Sequence, residues 1–212
     1  MKTNFLKLML LALVAMFTFA SCEKDDNEPS KWIVKIGAQS NTSIGAFYSL
    51  SEKKIYNQTD AFNNQAKIDL VCFYEHDEIN NRINDMTLSS PGANIRDIFT
   101  GETDVMNYTT KNLTTITPTS ASSGAGTLPA NTQSITVEQF DQIKQGEAII
   151  ATYFNSTLTS SNKKAKLLVA NDIYAFKTQD GTYGLFKVVA VSEPKNASGW
   201  LQFEIKTYKP AV

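Results

Sequence analysis

The residues of this chain that could carry covalent chemistry are few: two cysteines and one histidine. The first cysteine, Cys22, follows Ala20 and Ser21, two small side chains of the kind that a signal peptidase needs before its cut. Before them lies the uninterrupted apolar run LMLLALVAMFTF, residues 8–19, with two lysines on its N-terminal side. That run has the length of a signal-peptide core and is too short for a stable membrane span. The pattern therefore predicts an export signal over residues 1–21 that ends next to a thiol.

The residues around Cys22 resemble the lipobox of bacterial lipoproteins, in which the cysteine is acylated and becomes the first residue of the mature protein. Phe19 stands where that family usually has leucine. An acidic run follows the cysteine, with Glu23, Asp25, Asp26 and Glu28. It resembles the surface-export signal of Bacteroidetes-type surface lipoproteins, and the chain as a whole resembles the α+β lipoproteins of unknown function in that group.

This resemblance implies a lipid anchor at Cys22, localisation at the outer membrane and exposure on the cell surface. It implies no activity. Diacylated and triacylated cysteines hold a protein durably on a bilayer, whereas a single chain does so only marginally. The alternative is an ordinary secretory signal followed by a chance cysteine.

Cys72, the second cysteine, has no partner for an intramolecular disulfide if Cys22 is acylated. It lies in KIDLVCFY, residues 67–74, an apolar run of β type in which both faces carry apolar side chains. Such a strand is expected to be covered on both sides. We therefore predict that Cys72 is a small buried apolar residue rather than a reactive thiol.

His76, the one histidine, is flanked by Glu75, Asp77 and Glu78. These residue types could hold a divalent cation, but adjacent residues at a strand end point in opposite directions, and no second histidine completes a zinc set. Cys72 and His76 lie four positions apart on one extended segment, which separates them by about 13 Å. Neither a Gly-x-Ser-x-Gly elbow nor a phosphate-binding glycine loop is present in the sequence. We predict a solvated acidic turn here, with no catalytic residues, no metal site and no cofactor.

Charge and composition exclude one class of partner. Removal of residues 1–21 leaves 18 basic and 21 acidic side chains, a net charge near −3. There is no basic cluster interleaved with aromatic residues, so we expect no nucleic-acid ligand. The 12 Phe, 8 Tyr and 2 Trp residues are a generous aromatic content for a chain that can bury a substantial core.

The rest of the chain divides into a polar tether over residues 22–30 and one domain over 31–212. A flexible loop near 118–134 interrupts this domain, and the alternative is that this stretch is a junction between two lobes. The tether is charged, and the loop is rich in Ser, Thr, Gly and Ala. Within the domain, residues 44–56 predict a hairpin and residues 136–154 predict helices opened by a Thr-x-x-Gln capping box. Residues 173–208 predict a three-strand antiparallel meander with Asp180-Gly181 as a turn. The fold class expected is therefore α+β, an antiparallel sheet with the helices packed on one face.

In the last predicted strand, apolar Leu201, Phe203 and Ile205 alternate with polar neighbours. Trp200 and Tyr208 fall on the polar face, which makes them the candidate ligand-binding pair, because an aromatic face can stack on a sugar while its edge stays wet. The alternative is that the helices cover this face and make both residues part of the core.

Two function classes follow. The first is a non-enzymatic surface lipoprotein that binds a glycan, peptide or protein ligand. The second is a carboxylate-based hydrolase acting on glycans, since the separation of a carboxylate pair is a tertiary property that no sequence reveals.

Overall fold

The computed structural model describes residues 31–77, 82–120, 128–158 and 163–211. Across these residues the chain forms two five-stranded antiparallel sheets that face each other. Sheet 1 has the strand order β1-β10-β9-β8-β6, and sheet 2 has the order β3-β2-β4-β5-β7. The strands are β1 (Ile33–Gly37), β2 (Phe47–Ser49), β3 (Lys54–Tyr56), β4 (Leu70–Asp77), β5 (Arg82–Ser89), β6 (Thr115–Pro118), β7 (Lys164–Ala165), β8 (Ile173–Lys177), β9 (Tyr183–Val191) and β10 (Trp200–Tyr208).

This architecture is a β-sandwich, so the α+β prediction was wrong. The helices in the described residues are short: α1 (Gln58–Asn63), α2 (Val137–Gln142) and α3 (Ile149–Thr152). The capping box of α2 is present, with the Thr136 side chain and the Gln139 side chain each bonded to the other's backbone N–H. The helix nevertheless ends after six residues, and Gly146 at φ 86° follows it in a left-handed conformation that continues no helix. Residues 136–154 thus form two short helices rather than a helical layer.

The central core lies between the two sheets and explains why the alternating strands fold as they do. Inward side chains of sheet 1, such as Phe186 and Phe203, meet those of sheet 2, such as Tyr48 and Leu88. The rings of Phe186 and Phe203 lie edge to face with centroids 5.8 Å apart. Cys72 belongs to this core and is fully buried, so its prediction as a structural residue is confirmed.

Both outer faces are also covered in part, which is why several strands are apolar on both sides. A second cluster covers the outer face of sheet 2, where Val71 and Phe73 of β4 pack with Phe99 and Tyr108 from the segment after β5. A third cluster covers sheet 1, where Ala175 and Leu185 pack beneath α2 and α3. Each outer layer is thus built from short helices and irregular segments.

Two predicted strand pairings are present. The hairpin over residues 44–56 is the β2–β3 pair, and residues 173–208 form the antiparallel meander β8-β9-β10. In β9, Gly184 lies under the Phe176 ring, and a Cβ at that position would come within 2.0 Å of Cζ of that ring. A glycine is therefore required for these two strands to pair closely.

The alternation in β10 predicts that its polar face is exposed to solvent. Part of this face is buried instead. Glu204 and Lys206 are 4% and 8% exposed. The Lys206 ammonium donates to the backbone oxygens of Phe140 at 2.6 Å and Ile143 at 2.5 Å, carbonyls at the end of α2. Helix C-termini attract cations in this way, so a buried lysine joins α2 to sheet 1.

The predicted flexible loop lies partly outside the described residues, which omit 121–127. On its N-terminal side, Thr119 is fully buried and its hydroxyl donates to the Ile173 carbonyl at 2.8 Å. The Thr119 carbonyl accepts the N–H of Ile135 at 2.9 Å. Residues 118–120 and 135 are thus held against β8.

Candidate functional site

A pocket of about 670 Å³ opens where the ends of several strands and turns meet. Its lining comes from Trp32 before β1, the β2–β3 turn, the residues just before β4, Asn112 before β6, the β8–β9 turn and the end of β10. A volume of this size accommodates a small molecule or a few sugar units. The lining combines one indole with hydroxyl, amide, ammonium and carboxyl groups.

Trp32 forms the aromatic part of the lining. Its indole N–H donates to the Tyr48 hydroxyl at 2.8 Å, and its ring packs partly against the central core. Burial raises the pKa of Tyr48 to about 12, although the bond from Trp32 lowers it, so this hydroxyl stays protonated at neutral pH. The Lys53 ammonium lies over the Trp32 ring, 4.4 Å from its centroid. Trp32 is therefore an anchored ring with a cation on it.

Asp69 gives the pocket its partly buried carboxyl group. One of its oxygens accepts the N–H of Leu50 at 2.8 Å, and the other is 3.4 Å from the Asn112 amide nitrogen. Burial raises the pKa of Asp69 to about 6, outweighing the lowering by the Leu50 bond. Asp69 therefore changes between the ionised and the protonated form around pH 6, and it is mostly an ionised acceptor at pH 7.

Asp180, in the β8–β9 turn, is the second carboxyl group of the pocket. Desolvation raises its pKa, but hydrogen bonds from Lys209, Thr178 and Thr182 outweigh it and hold the pKa well below its usual range. The Lys209 ammonium is 2.7 Å from one of its oxygens. Asp180 is therefore ionised at neutral pH and already paired.

Two amide side chains of the lining are held in place by hydrogen bonds to neighbouring residues. Gln145 donates to the Thr207 hydroxyl at 2.6 Å and accepts the N–H of Thr207 at 3.1 Å. The Gln179 oxygen accepts the N–H of Leu113 at 3.0 Å. Polar groups fixed before a ligand arrives lose less entropy when it binds.

The predicted pair Trp200 and Tyr208 does not share a groove. The two residues are the first and last of β10, and eight residue steps along the strand separate them by about 26 Å. Neither lines the pocket. Trp200 is partly exposed on the outer face of sheet 1, with the Lys35 ammonium 4.1 Å from its ring centroid. Tyr208 packs against the third cluster, beneath α2 and α3.

The other residues singled out in the sequence lie elsewhere. Burial holds the pKa of the Cys72 thiol far above its usual range, so the thiol is not a nucleophile. The backbone of His76 belongs to β4, and its side chain lies outside the described residues, as do Glu78 and the lipidation residue Cys22 with the whole of residues 1–30. Within the described ranges, no group of three His, Cys, Asp or Glu side chains could hold a metal ion.

Sequence reasoning did not find the pocket because its residues are far apart in the chain. Trp32, Asp69 and Asp180 come from segments that only the sandwich brings together. The one feature of the sequence that pointed to the pocket was Trp32. It is one of two tryptophans in the chain and the second residue of the predicted domain.

Comparison with family models, curated proteins and solved structures gave no match for this chain. Among the residues that the structure describes, none of the helices has the length and hydrophobicity that crossing a membrane requires.

Proposed function

We propose that this chain is a lipid-anchored lipoprotein of the outer membrane that binds a glycan at the cell surface through the Trp32 pocket. The anchor at Cys22 and the location rest on the sequence pattern of residues 1–28. The observation that supports binding is the lining of the pocket, which an anchored indole shares with hydrogen-bonded amide, hydroxyl and carboxyl groups.

This lining suits a sugar better than an apolar ligand. A sugar presents C–H groups on its faces, which stack on an aromatic ring, and hydroxyls around its edge, which require donors and acceptors. Asn112, Gln179 and Thr182 place both kinds of group on the lining. A peptide strand would instead need an accessible row of backbone donors and acceptors, which these side chains do not form.

The experiment is a panel of immobilised glycans probed with the chain lacking residues 1–21 and carrying Cys22→Ser, which removes the lipid but leaves the domain. We expect retention by a subset of glycans and loss of that retention in Trp32→Leu. If no glycan is retained while the protein is folded by circular dichroism, the proposal is wrong.

One observation favours a second candidate, a glycan hydrolase. Asp69 and Asp180 line the same pocket, and their environments shift their pKa values in opposite directions. A protonated and an ionised carboxyl group are the general acid and the base or nucleophile of glycoside hydrolysis. In this candidate Asp69 would be the acid and Asp180 its ionised partner.

Incubation of the retained glycans with the protein distinguishes the two. A binding protein leaves the reducing ends unchanged, whereas a hydrolase increases them. Hydrolysis should then disappear in Asp69→Asn but persist in Asp172→Asn, a buried aspartate outside the pocket whose pKa burial also raises.

A further inference from the structure

The lysines of the pocket differ in how they are paired. Lys67 lies 2.6 Å from a Glu52 oxygen, and Lys209 lies 2.7 Å from an Asp180 oxygen. Lys53 has no carboxylate at ion-pair distance within the described part of the chain, and its ammonium contacts the Trp32 ring instead. Among the residues that the structure describes, Lys53 is thus a pocket cation without a carboxylate partner.

The position of Lys53 bears directly on the stacking surface. It lies in the β2–β3 turn at φ 52°, a left-handed conformation that is unusual for a lysine. Lys53 and Trp32 both line the pocket, and the Lys53 ammonium lies over the Trp32 ring. Because Trp32 also packs against the central core, a sugar that stacks on the side of the ring that carries this ammonium must take its place.

Displacement of Lys53 favours one kind of ligand. A neutral sugar breaks the cation–π contact and offers the ammonium no anionic group to pair with. A carboxylate on the sugar ring can instead accept a charge-assisted hydrogen bond from the Lys53 ammonium, and such a bond is stronger than a neutral one. Asp69, which likewise has no ion-pair partner among the described residues, can bond the hydroxyls of the same ring.

We propose that the pocket selects uronic acid residues, with the sugar face on Trp32, the carboxylate on Lys53 and ring hydroxyls toward Asp69. This inference rests on the proposed glycan-binding function and names the class of glycan. Specificity arises because the neutral analogue leaves Lys53 displaced without a partner.

The test uses trisaccharides of galacturonic, glucuronic and mannuronic acid, each compared with its methyl ester. The ester keeps the ring, its hydroxyls and its stacking face but removes the charge. With the Cys22→Ser chain lacking residues 1–21, we expect at least one acid to bind about tenfold more tightly than its ester in isothermal titration calorimetry, the ratio typical of one charge-assisted hydrogen bond.

Two lysine variants form a matched pair, since each lysine lies over a tryptophan ring. Lys53→Met should bring the affinities of the acid and the ester together, whereas Lys35→Met, at the Trp200 ring outside the pocket, should leave the ratio unchanged. Equal binding of acid and ester, or an unchanged ratio in Lys53→Met, overturns the inference. If neutral glycans bind through Trp32 and no uronate does, the inference is wrong and the proposed function stands; if no glycan binds, both are wrong.

Discussion

Asp85 provides a test of the fold through the pH dependence of stability. It lies on β5, is 5% exposed, and accepts hydrogen bonds from the Leu167 N–H and the Thr87 hydroxyl. Burial raises its pKa from an ordinary 3.8 to about 7, and Glu75 on the neighbouring strand raises it further, while the hydrogen bonds and Lys166 lower it. Between about pH 4 and pH 7, Asp85 therefore keeps its proton in the folded chain, whereas the unfolded chain has already released it.

Proton linkage gives the direction in which the free energy of unfolding changes with pH. The stability that the protonated Asp85 contributes is fully present below about pH 4 and is lost as pH rises through about 7. A separation of about three pH units, at about 1.4 kcal/mol per unit, corresponds to about 4 kcal/mol. Asp85→Asn keeps a carbonyl acceptor for the Leu167 N–H and never ionises. Relative to wild type, its free energy of unfolding should therefore rise by about 4 kcal/mol between pH 4 and pH 8.

The assay is urea unfolding of both proteins at each pH, with the slope against urea compared to confirm that the same transition is measured. Asp180→Asn is the control, because Asp180 and its unfolded counterpart are both largely ionised above pH 4, so its difference from wild type should change little. A difference between wild type and Asp85→Asn that stays constant within about 1 kcal/mol from pH 4 to pH 8 would show that folding does not raise the pKa of Asp85.

Three further predictions concern the anchor, α2 and the meander. Cys22→Ala should abolish incorporation of a palmitate analogue and release the protein from the membrane fraction; equal labelling of the variant would contradict the lipoprotein hypothesis. Lys206→Met should lower the free energy of unfolding by about 2–4 kcal/mol, because the carbonyl of Phe140 at the end of α2 loses a charged donor; a thermal melt within 1 °C of wild type would contradict this. Gly184→Ala should cost about 2–3 kcal/mol through its clash with the Phe176 ring, and Phe176→Leu in the same chain should recover part of that loss, whereas purely additive losses would show that the ring is not the cause.

The features that sequence reasoning predicted correctly are those with local signals. Alternation in β10, the Asp180-Gly181 turn and the two-sided apolar run through Cys72 are readable because strand period and turn chemistry are properties of neighbouring residues. The capping box predicted at Thr136 is also present in the structure. These signals identify elements, and they leave open how the elements assemble.

The fold class was wrong because assembly depends on long-range pairing. The β2–β3 hairpin was predicted, but its strands and β7 are only two or three residues long, and no local pattern shows that they join β4 and β5 in a second sheet. Without that sheet, the helical pattern of residues 136–154 appeared to be the layer opposite the meander. In the structure, sheet 2 occupies that position, and α2 and α3 cover the other face of sheet 1.

The wet face predicted for β10 failed for a related reason. Glu204 and Lys206 are charged, but Lys187 on β9 lies 3.6 Å from Glu204, and Lys206 reaches the carbonyls of α2. Charges satisfied in this way can be buried, whereas a sequence pattern assigns every charge to solvent. The same limit applies to the pocket, whose lining is a product of topology.

Of the two tryptophans, we propose Trp32, and not Trp200, as the residue that binds the glycan. The direct test is the dissociation constant of the best retained glycan, measured by calorimetry for wild type, Trp32→Leu and Trp200→Leu. We predict that Trp32→Leu weakens binding at least tenfold, as expected for a stacking residue at the centre of a site, while Trp200→Leu changes it less than twofold. Loss of binding in Trp200→Leu with full affinity in Trp32→Leu would contradict a site at Trp32 and place the site on the outer face of sheet 1.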